Sequence, residues 1–280
     1  MKHRIALFAT ALLTPLTITG LAQAEDFWLK ADETGCELWS DEAAQPEDQI
    51  IWTGDCDKNN KASGRGLAVW LRNDEIYSRY SGTMRAGRLH DKDGLLLLKS
   101  KEDDGFEVVH GHFKGGIMNG QMVILDSDGT LFHGNYVDNM RQGRGMFVDT
   151  KGNSFQGLFN KGVANSIGQS FSAEGEAYFG TFKNNERNGL GVLYEEDGGV
   201  YVGEFKDDAA SGVGSLEGPT GYFQGNFVDG VPDGPGVLVA DDGTTRQGRF
   251  VKGEPEGLIL VTNPDGSQET ETWKDGEKVQ

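Results

Sequence analysis

Three histidines form the arrangement in this sequence that comes nearest to a metal site. His110 and His112 are two residues apart in a strand-like segment, so they would share one face of a strand. His133 occupies the corresponding position one hairpin later, roughly 9–10 Å away because two strand spacings separate such residues. Three nitrogens at that separation cannot surround one Zn²⁺ ion without rearrangement. We therefore predict polar surface histidines, with no bound metal and no cofactor.

The other polar residues do not form a recognisable catalytic arrangement. No serine lies in a Gly-x-Ser-x-Gly motif. The Gly-x-Gly of residues 189–191 lies within a predicted strand and not at a strand–helix junction, which disfavours phosphate binding. Carboxylates such as Asp207 and Asp241 cluster in predicted turns, where solvation accounts for them. The sequence therefore predicts that the protein is not an enzyme.

The elements that carry these residues repeat with a nearly constant period. Looser copies of the unit begin at Gly54 and Gly82. From Gly111 on the lead glycines are spaced 22 or 23 residues apart, at Gly111, Gly134, Gly157, Gly180, Gly203, Gly225 and Gly248. A period of this length indicates an array of small supersecondary units that stack on one another.

Each unit has an apolar position, two or three further glycines and a turn signal. A large apolar side chain follows two residues after the lead glycine, at Met84, Phe113, Tyr136, Phe159, Phe182, Phe205, Phe227 and Phe250. A Gly-x-Gly phrase follows in most copies, and a further glycine closes the unit, preceded by aspartate at Asp128, Asp197, Asp242 and Asp265. An Asp-Gly pair between apolar runs is typical of a type I′ turn between two strands.

The first strand of each unit alternates between an apolar and a polar face. In residues 178–182 the glycine shares a face with Tyr178 and Phe182, because successive side chains of a strand point in opposite directions. The position before the lead glycine is mostly polar, as at Ser81, His110, His133, Gln156, Gln224 and Gln247. We predict an all-β fold, an elongated single-layer antiparallel sheet of repeated β-hairpins, in which rings lie over facing glycines.

The phrase Tyr-x-Gly-x-Phe, followed by Gly-x-Gly and Asp-Gly, resembles the MORN (membrane occupation and recognition nexus) repeat. The resemblance covers residues 51–277, with two degenerate first units, Ser166 in place of one glycine, and a last half-unit in which Glu271 and Trp273 take the glycine and aromatic positions. Residues 25–50 are predicted to be an N-terminal cap segment, and 278–280 a tail. The resemblance implies association with membrane phospholipid, which is the alternative to a non-enzymatic binding or scaffolding role that we predict from the faces of the sheet.

The first 24 residues have the pattern of a secretory signal peptide. Lys2 and Arg4 precede an apolar stretch, and Ala22 and Ala24 form a small-x-small cleavage site. The stretch is shorter than the roughly 20 residues that a membrane-spanning helix needs. We predict cleavage after Ala24, a mature chain in the periplasm or secreted, and an exported protein of bacterial type.

Export determines the interpretation of the two cysteines. Cys36 and Cys56 both lie in the predicted mature chain, and an oxidising compartment favours a disulfide bond between them. In the chain-entropy treatment a loop of this size contributes roughly 3 kcal/mol. The alternative is two free thiols.

Charge and the aromatic face together limit the partners. Removal of Lys2 and Arg4 with the signal changes the formal net charge from −18 to −20, which excludes nucleic acid and disfavours anionic lipid. No segment of the chain could cover the aromatic face as a second layer, so we predict that it binds an envelope protein or another copy of the chain. The predicted binding residues are Tyr136, Phe159, Tyr178, Phe182, Tyr201, Phe205, Phe223, Phe227 and Phe250.

Overall fold

The computed structural model describes residues 27–40, 43–100, 103–219 and 221–279. The predicted signal peptide, residues 1–24, lies outside the described residues. The chain forms two compact units, an N-terminal unit that ends at Val163 and a C-terminal unit that begins at Ala164. Among the described residues, no helix has the length and apolar character required to cross a membrane.

The described part of the N-terminal unit is built from strands alone. They are β1 Phe27–Lys30, β2 Glu37–Ser40, β3 Asp48–Trp52, β4 Asp55–Cys56, β5 Ala62–Arg72, β6 Glu75–Arg85, β7 Arg88–Leu89, β8 Gly94–Lys99, β9 Phe106–Lys114, β10 Ile117–Leu125, β11 Leu131–Val137, β12 Met140–Val148 and β13 Ser154–Asn160. Strands β1 and β2 form a small two-stranded sheet of their own, and the strand pairs of the sheet that follows are antiparallel.

The C-terminal unit continues the same alternation of long strands. They are β14 Val163–Phe171, β15 Ala177–Lys183, β16 Glu186–Tyr194, β17 Val200–Lys206, β18 Ala209–Gly218, β19 Gly221–Val228, β20 Val231–Ala240, β21 Thr245–Val251, β22 Glu254–Thr262, β23 Gln268–Lys274 and β24 Glu277–Lys278. Each strand pairs antiparallel with the next in sequence, and the sheet does not close. The predicted all-β sheet of repeated hairpins is confirmed.

The register places the repeated glycines beside one another. In the C-terminal unit a lead glycine can face a glycine on each neighbouring strand, as Gly180 faces both Gly168 and Gly191. The same pairing recurs for Gly203 and Gly214 and, in the N-terminal unit, for Gly134 and Gly145. The two glycine columns that the sequence shows therefore form one ladder of bare backbone across each sheet.

The turn prediction was wrong in its position. The two-residue turns with positive φ at both residues, as type I′ requires, lie at the other end of the hairpin, for example at Asn184 (52°) and Asn185 (75°). Residues 195–199 form a longer turn, in which the Gly198 amide donates to the Glu195 carbonyl and Gly198 alone has positive φ, at 90°. The Asp197 carboxylate accepts from the Gly199 amide at 3.0 Å, because short acidic side chains bond to the backbone two residues on.

The predicted disulfide bond between Cys36 and Cys56 is present, with 5.4 Å between the two Cα atoms. It joins the strand pair β1–β2 to β4, since Cys36 immediately precedes β2 and Cys56 ends β4. A parallel bridge between Glu37 and Lys61 lies beside it. The small N-terminal sheet is thus tied covalently to the first strands of the main sheet.

The last half-unit is a modified copy that ends the array. Trp273 faces Gly257 in the position that Phe205 has opposite Gly189, and Glu271 occupies the place of a lead glycine. The Glu271 carboxylate is buried and accepts from Lys278 Nζ and Trp273 Nε1, both at 2.8 Å. These bonds hold the pKa of Glu271 below its usual range despite burial.

Candidate functional site

The nine rings predicted to bind a partner do not form an exposed face. Each of them is buried, with between 0 and 6 % of its surface exposed. They are Tyr136, Phe159, Tyr178, Phe182, Tyr201, Phe205, Phe223, Phe227 and Phe250. The expectation of an uncovered apolar groove was wrong, because the rings cover the glycine ladder and one another.

Tyr178 shows how one ring is buried without a second layer. Its ring lies over Gly180 of its own strand and Gly191 of the next, where an added Cβ at Gly191 would be 2.5 Å from the phenol oxygen. The hydroxyl donates to the Thr181 carbonyl at 3.0 Å. Burial raises the pKa of Tyr178 to about 12, so the phenol remains a neutral structural donor.

The rings also contact one another in an edge-to-face series. Tyr178 lies 5.1 Å from Phe182 on its own strand and 4.9 Å from Phe205 two strands away. Tyr201 repeats this arrangement with Phe205 and Phe227. Because such contacts add stability beyond the area that they bury, the aromatic column is the core of the repeat.

Two arginines lie in this core. The position seven residues after the lead glycine is buried in successive copies, where it holds Met118, Arg141, Ala164, Arg187 and Ala210. Arg187 Nη1 lies 2.9 Å from Glu176, its Nε lies 3.4 Å from Asp208, and its guanidinium lies over the rings of Tyr178 and Phe205. Its charge is therefore balanced by carboxylates within the sheet.

Arg141 has a different environment. Its guanidinium lies 4.6 Å from the Phe132 ring centroid, and its Nε lies 3.4 Å from the Tyr136 hydroxyl. Its Nη1 is buried without a hydrogen-bond partner among the described residues, as is Nη2 of Arg187, but none of the described carboxylates lies within ion-pair distance of Arg141. The Asp126 carboxylate interacts with it electrostatically, but burial raises the pKa of Asp126 to about 6.

The three histidines are not brought together. Val123 lies between His110 and His133 in the sheet, paired with one on each side, so one strand and two strand spacings separate these histidines. His110 Nε2 lies 2.8 Å from the Asp93 carboxylate. Within the described part of the chain, no group of three histidines, cysteines or carboxylates could hold a metal ion.

The face opposite the rings carries the exposed apolar surface of the C-terminal unit. The residue at the centre of each Gly-x-Gly phrase, and of the corresponding segments 166–168 and 257–259, lies on this outer face and is aliphatic or proline in five successive copies. We call these residues the aliphatic row: Ile167, Leu190, Val213, Pro235 and Leu258. Four of them are 62–69 % exposed, and each lies opposite a polar residue of the following strand, as Leu190 lies opposite Glu204.

Three aromatic rings lie further along the same strands of the outer face. Phe171, Phe179 and Tyr194, which we call the outer aromatic cluster, are each 40–47 % exposed. The Phe179 ring is 5.6 Å from that of Phe171 and 6.1 Å from that of Tyr194. Val202, 47 % exposed, extends the cluster because Val192 pairs with both Phe179 and Val202.

The sequence contained a signal for this surface that the repeat pattern obscured. Phe179 and Val202 occupy the position before the lead glycine, which is polar in most other copies. The aliphatic row has Gln121 and Arg144 at its corresponding positions in the N-terminal unit. A comparison of the positions that vary between copies, and not of the shared positions, would have identified this exposed apolar surface.

The long turns beside the outer aromatic cluster are acidic. The corresponding turns of the C-terminal unit contain no lysine or arginine in sequence, and they carry the carboxylates of Glu174, Glu176, Glu195, Glu196, Asp197, Asp241, Asp242 and Asp265. Residues 164–279 contain 21 acidic and 8 basic residues, a formal net charge of −13. The outer face therefore combines exposed apolar side chains with a negative border.

Four segments of the chain match the family model for the MORN repeat, at residues 132–154, 178–200, 201–221 and 223–245. The chain contains MORN repeats. The glycine pairing that they share continues outside the matched segments, for example between Gly66 and Gly82 and between Gly236 and Gly248. MORN repeats support a repeat-based binding or scaffolding role. The most exposed apolar side chains of the repeats, those of the aliphatic row, lie on the outer face of the C-terminal unit.

No curated protein matches the sequence. Among solved structures, the chain is similar to a mutant TCP10 domain of CPAP from Danio rerio, at 12 % identity and a TM-score of 0.36, over 70 % of this chain and 95 % of that one. It is also similar to the TCP domain of SAS-4 (dCPAP) from Drosophila melanogaster, in complex with a proline-rich motif of Ana2 (dSTIL), at 8 % identity and a TM-score of 0.31, over 65 % and 84 %. Scores this low carry no inference about partners.

Proposed function

We propose that this MORN-repeat protein is a non-enzymatic scaffolding protein of the cell envelope that binds a protein partner. The observation that supports the proposal most directly is the aliphatic row, in which Ile167, Leu190, Val213 and Leu258 are each more than 60 % exposed. Single exposed apolar residues are ordinary, but a regular series on one face is typical of an interaction surface. The outer face of the C-terminal unit is therefore the proposed binding surface, in place of the buried inner rings.

Apolar burial supplies the driving force in this proposal. Covering exposed aliphatic and aromatic side chains contributes about 25 cal/mol for each Å² removed from water. The polar residues that alternate with the row, such as Thr181 opposite Ile167 and Asn226 opposite Val213, would fix the register of the partner by hydrogen bonds. The charged border would act mainly on the association rate and on specificity.

Association with membrane phospholipid is the alternative. The MORN resemblance motivates it, but the C-terminal unit carries a formal net charge of −13, which repels anionic headgroups. We expect weak flotation of the mature protein with anionic liposomes at physiological salt. Strong flotation that survives polar substitution of the aliphatic row would replace the protein-binding proposal with the lipid-binding one.

Affinity capture from envelope extract tests the proposed surface. The bait is the mature, disulfide-bonded chain, compared with the double variant Leu190→Ser/Val213→Ser. Both side chains are more than 60 % exposed, so the variant should keep its fold, which far-UV circular dichroism and a thermal melt would verify. The matched control is Val123→Ser/Met146→Ser, which changes exposed outer-face residues of the N-terminal unit.

The proposal expects the captured protein to be lost with Leu190→Ser/Val213→Ser and retained with the control variant. Equal capture by all three baits would contradict it. Location is tested separately: cell fractionation should recover the protein outside the cytoplasm, with Glu25 as its first residue. A full-length cytoplasmic chain would refute export while leaving the binding surface open to the same capture test.

A further inference from the structure

We infer that the outer aromatic cluster binds a cationic polypeptide segment that carries apolar side chains. The inference rests on the proposed function and names the chemistry of its partner. It follows from the geometry of Phe171, Phe179 and Tyr194 together with the distribution of charge around them.

The cluster presents ring surface in a form that a ligand can use. Phe171 and Phe179 are at 87° to each other, and Phe179 and Tyr194 are at 90°, so neighbouring rings pack edge to face. Each ring is at least 40 % exposed, and Val202 borders them. Apolar side chains of a partner can pack between the rings, while a cationic head can lie over a ring face.

This chain itself shows that such rings attract cations. On the inner face, the Arg187 guanidinium lies 5.6 Å from the Tyr178 ring centroid, and in the N-terminal unit Lys61 Nζ lies 3.3 Å from that of Trp28. Among the described contacts, no cation of the chain lies over a ring of the outer aromatic cluster. A lysine or arginine of a partner would supply the cation that lies over these rings.

Carboxylates lie next to the cluster in the chain. The turn of residues 172–176 follows Phe171 directly and includes exposed Glu174, and the turn of residues 195–199 follows Tyr194 and includes exposed Glu196 and Asp197. No lysine or arginine lies in either turn. A segment that lies across the rings therefore meets negative charge at the ends of β14 and β16.

The formal charges of the candidate partners decide which of them fits the outer aromatic cluster. A second copy of the chain would bring an N-terminal unit of formal net charge −5, with 21 acidic and 16 basic residues in 27–163, or a C-terminal unit of −13. Either is repelled by the acidic turns, as is an anionic lipid surface. A basic segment with aromatic or aliphatic side chains is the occupant that complements both the rings and their border.

Two matched synthetic peptides test the inference. One alternates lysine with phenylalanine and leucine, and the other replaces every lysine by glutamate. Binding is followed by fluorescence anisotropy with the mature, disulfide-bonded protein at low and at raised salt. We expect the lysine peptide to bind, to weaken as salt rises, and to bind at least ten-fold more tightly than the glutamate peptide.

The variant Phe179→Ser/Tyr194→Ser locates the site, with Val123→Ser/Met146→Ser as the matched control. We expect the first variant to weaken binding of the lysine peptide at least ten-fold and the control to leave it unchanged. A third peptide, with serine in place of phenylalanine and leucine, separates charge from apolar contact. If it binds as well as the lysine–phenylalanine peptide, attraction is purely electrostatic and the inference is overturned.

Failure of this inference can be told from failure of the proposed function. Capture that depends on Leu190 and Val213, together with equal affinity for the lysine and glutamate peptides, keeps the scaffolding role and rejects a cationic partner. Peptide binding that is unaffected by Phe179→Ser/Tyr194→Ser also rejects the inference. Equal capture by all three baits, together with equal affinity for the lysine and glutamate peptides, rejects both proposals.

Discussion

The N-terminal and C-terminal units each bury an arginine among aromatic rings, but the charged groups around the two arginines differ. Arg141 in the N-terminal unit and Arg187 in the C-terminal unit occupy equivalent positions, and both are less than 5 % exposed. Arg187 has the carboxylates of Glu176 and Asp208 beside it. At the equivalent positions around Arg141, two repeats earlier, the sequence has Thr130 and Gly162.

The difference shows that the shared positions of the repeat supply the aromatic rings around the arginine, whereas the compensating carboxylates come from positions that vary between copies. In both units aromatic rings flank the guanidinium, as Phe132 and Phe159 do for Arg141. Rings alone do not compensate a buried charge, whose desolvation costs several kcal/mol unless a counter-charge and hydrogen bonds are present. The compensating carboxylates come from variable positions of the hairpin, so each copy sets its own electrostatics.

The first prediction exchanges each arginine for methionine, the residue that Met118 already provides in this column. Arg187→Met leaves Glu176 and Asp208 without their partner, and we expect a loss of about 3–5 kcal/mol in the free energy of unfolding. Arg141→Met removes a guanidinium with no bonded carboxylate, and we expect a change near zero or a gain. Chemical denaturation of the two variants measures both values.

The double variant Glu176→Gln/Arg187→Met is the control for the larger effect. It should recover part of the lost stability, because no unpaired carboxylate remains at 2.9 Å from the removed group. Equal destabilisation by the two single arginine variants would show that the carboxylates do not distinguish the units.

The second prediction concerns a covalent feature that only the N-terminal unit has. Cys36→Ser/Cys56→Ser opens the loop that the disulfide bond closes, and we expect the N-terminal unit to lose about 3 kcal/mol. Hydrogen exchange followed by mass spectrometry resolves the two units. Faster exchange confined to residues 27–163 is the expected result, since repeats contact mainly their neighbours. An equal loss of protection in β19 to β22 would contradict it.

The fold could be predicted from the sequence because the glycine and aromatic positions of the inner face recur in successive copies. A glycine such as Gly203 can be recognised from the sequence alone, because most copies place bare backbone beneath a ring. The burial of Tyr178 and Phe205 could not be read in the same way, because it depends on the distance between strands and on how each ring lies on its neighbours. The prediction that those rings are exposed was wrong for that reason.

The candidate surface was harder to predict, because it lies where the copies differ. Phe179, Leu190 and Tyr194 do not belong to the repeat signature, and their exposure follows from the face on which the register places them. The type I′ turns were also assigned to the wrong end of the hairpin, since Asp-Gly is compatible with longer turns in which only glycine has positive φ. Asp207 and Asp208 both adopt positive φ, although neither of these two turn residues is a glycine.

The third prediction tests the inner face that the two units share. A methyl group at Gly191 would lie 2.5 Å from the Tyr178 hydroxyl oxygen, and one at Gly145 would lie 2.8 Å from Cζ of Phe132. We expect Gly191→Ala and Gly145→Ala to cost about 1–3 kcal/mol each, because a packed ring must move. Chemical denaturation measures both losses in the free energy of unfolding. Gly198→Ala is the control, with no atom within 4 Å of the added methyl group and a cost of about 1 kcal/mol from positive φ alone.

The fourth prediction uses pH to examine the environment of Arg141. Desolvation, with the nearby charges of Glu107 and Asp128, raises the pKa of Asp126 to about 6, and Arg141 opposes this only in part. The native state therefore binds a proton that the unfolded state, with its ordinary carboxyl pKa, releases. Between pH 4 and 6 this carboxyl stabilises the fold as pH falls, and that contribution is lost as pH rises through 6.

The opposite sign is expected for Asp242 in the C-terminal unit, whose pKa is lowered by the bonds that it accepts from Thr244. Asp126→Asn should therefore be more stable than the wild type at pH 7.5, with the advantage shrinking toward pH 5. Asp242→Asn should be less stable at pH 7.5, with its deficit shrinking only in more acidic solution. Thermal melts of both variants across this range measure the two slopes. If Asp126→Asn is less stable at pH 7.5 and recovers toward pH 5, then Asp126 is a full counter-ion of Arg141, and the contrast between the two buried arginines disappears.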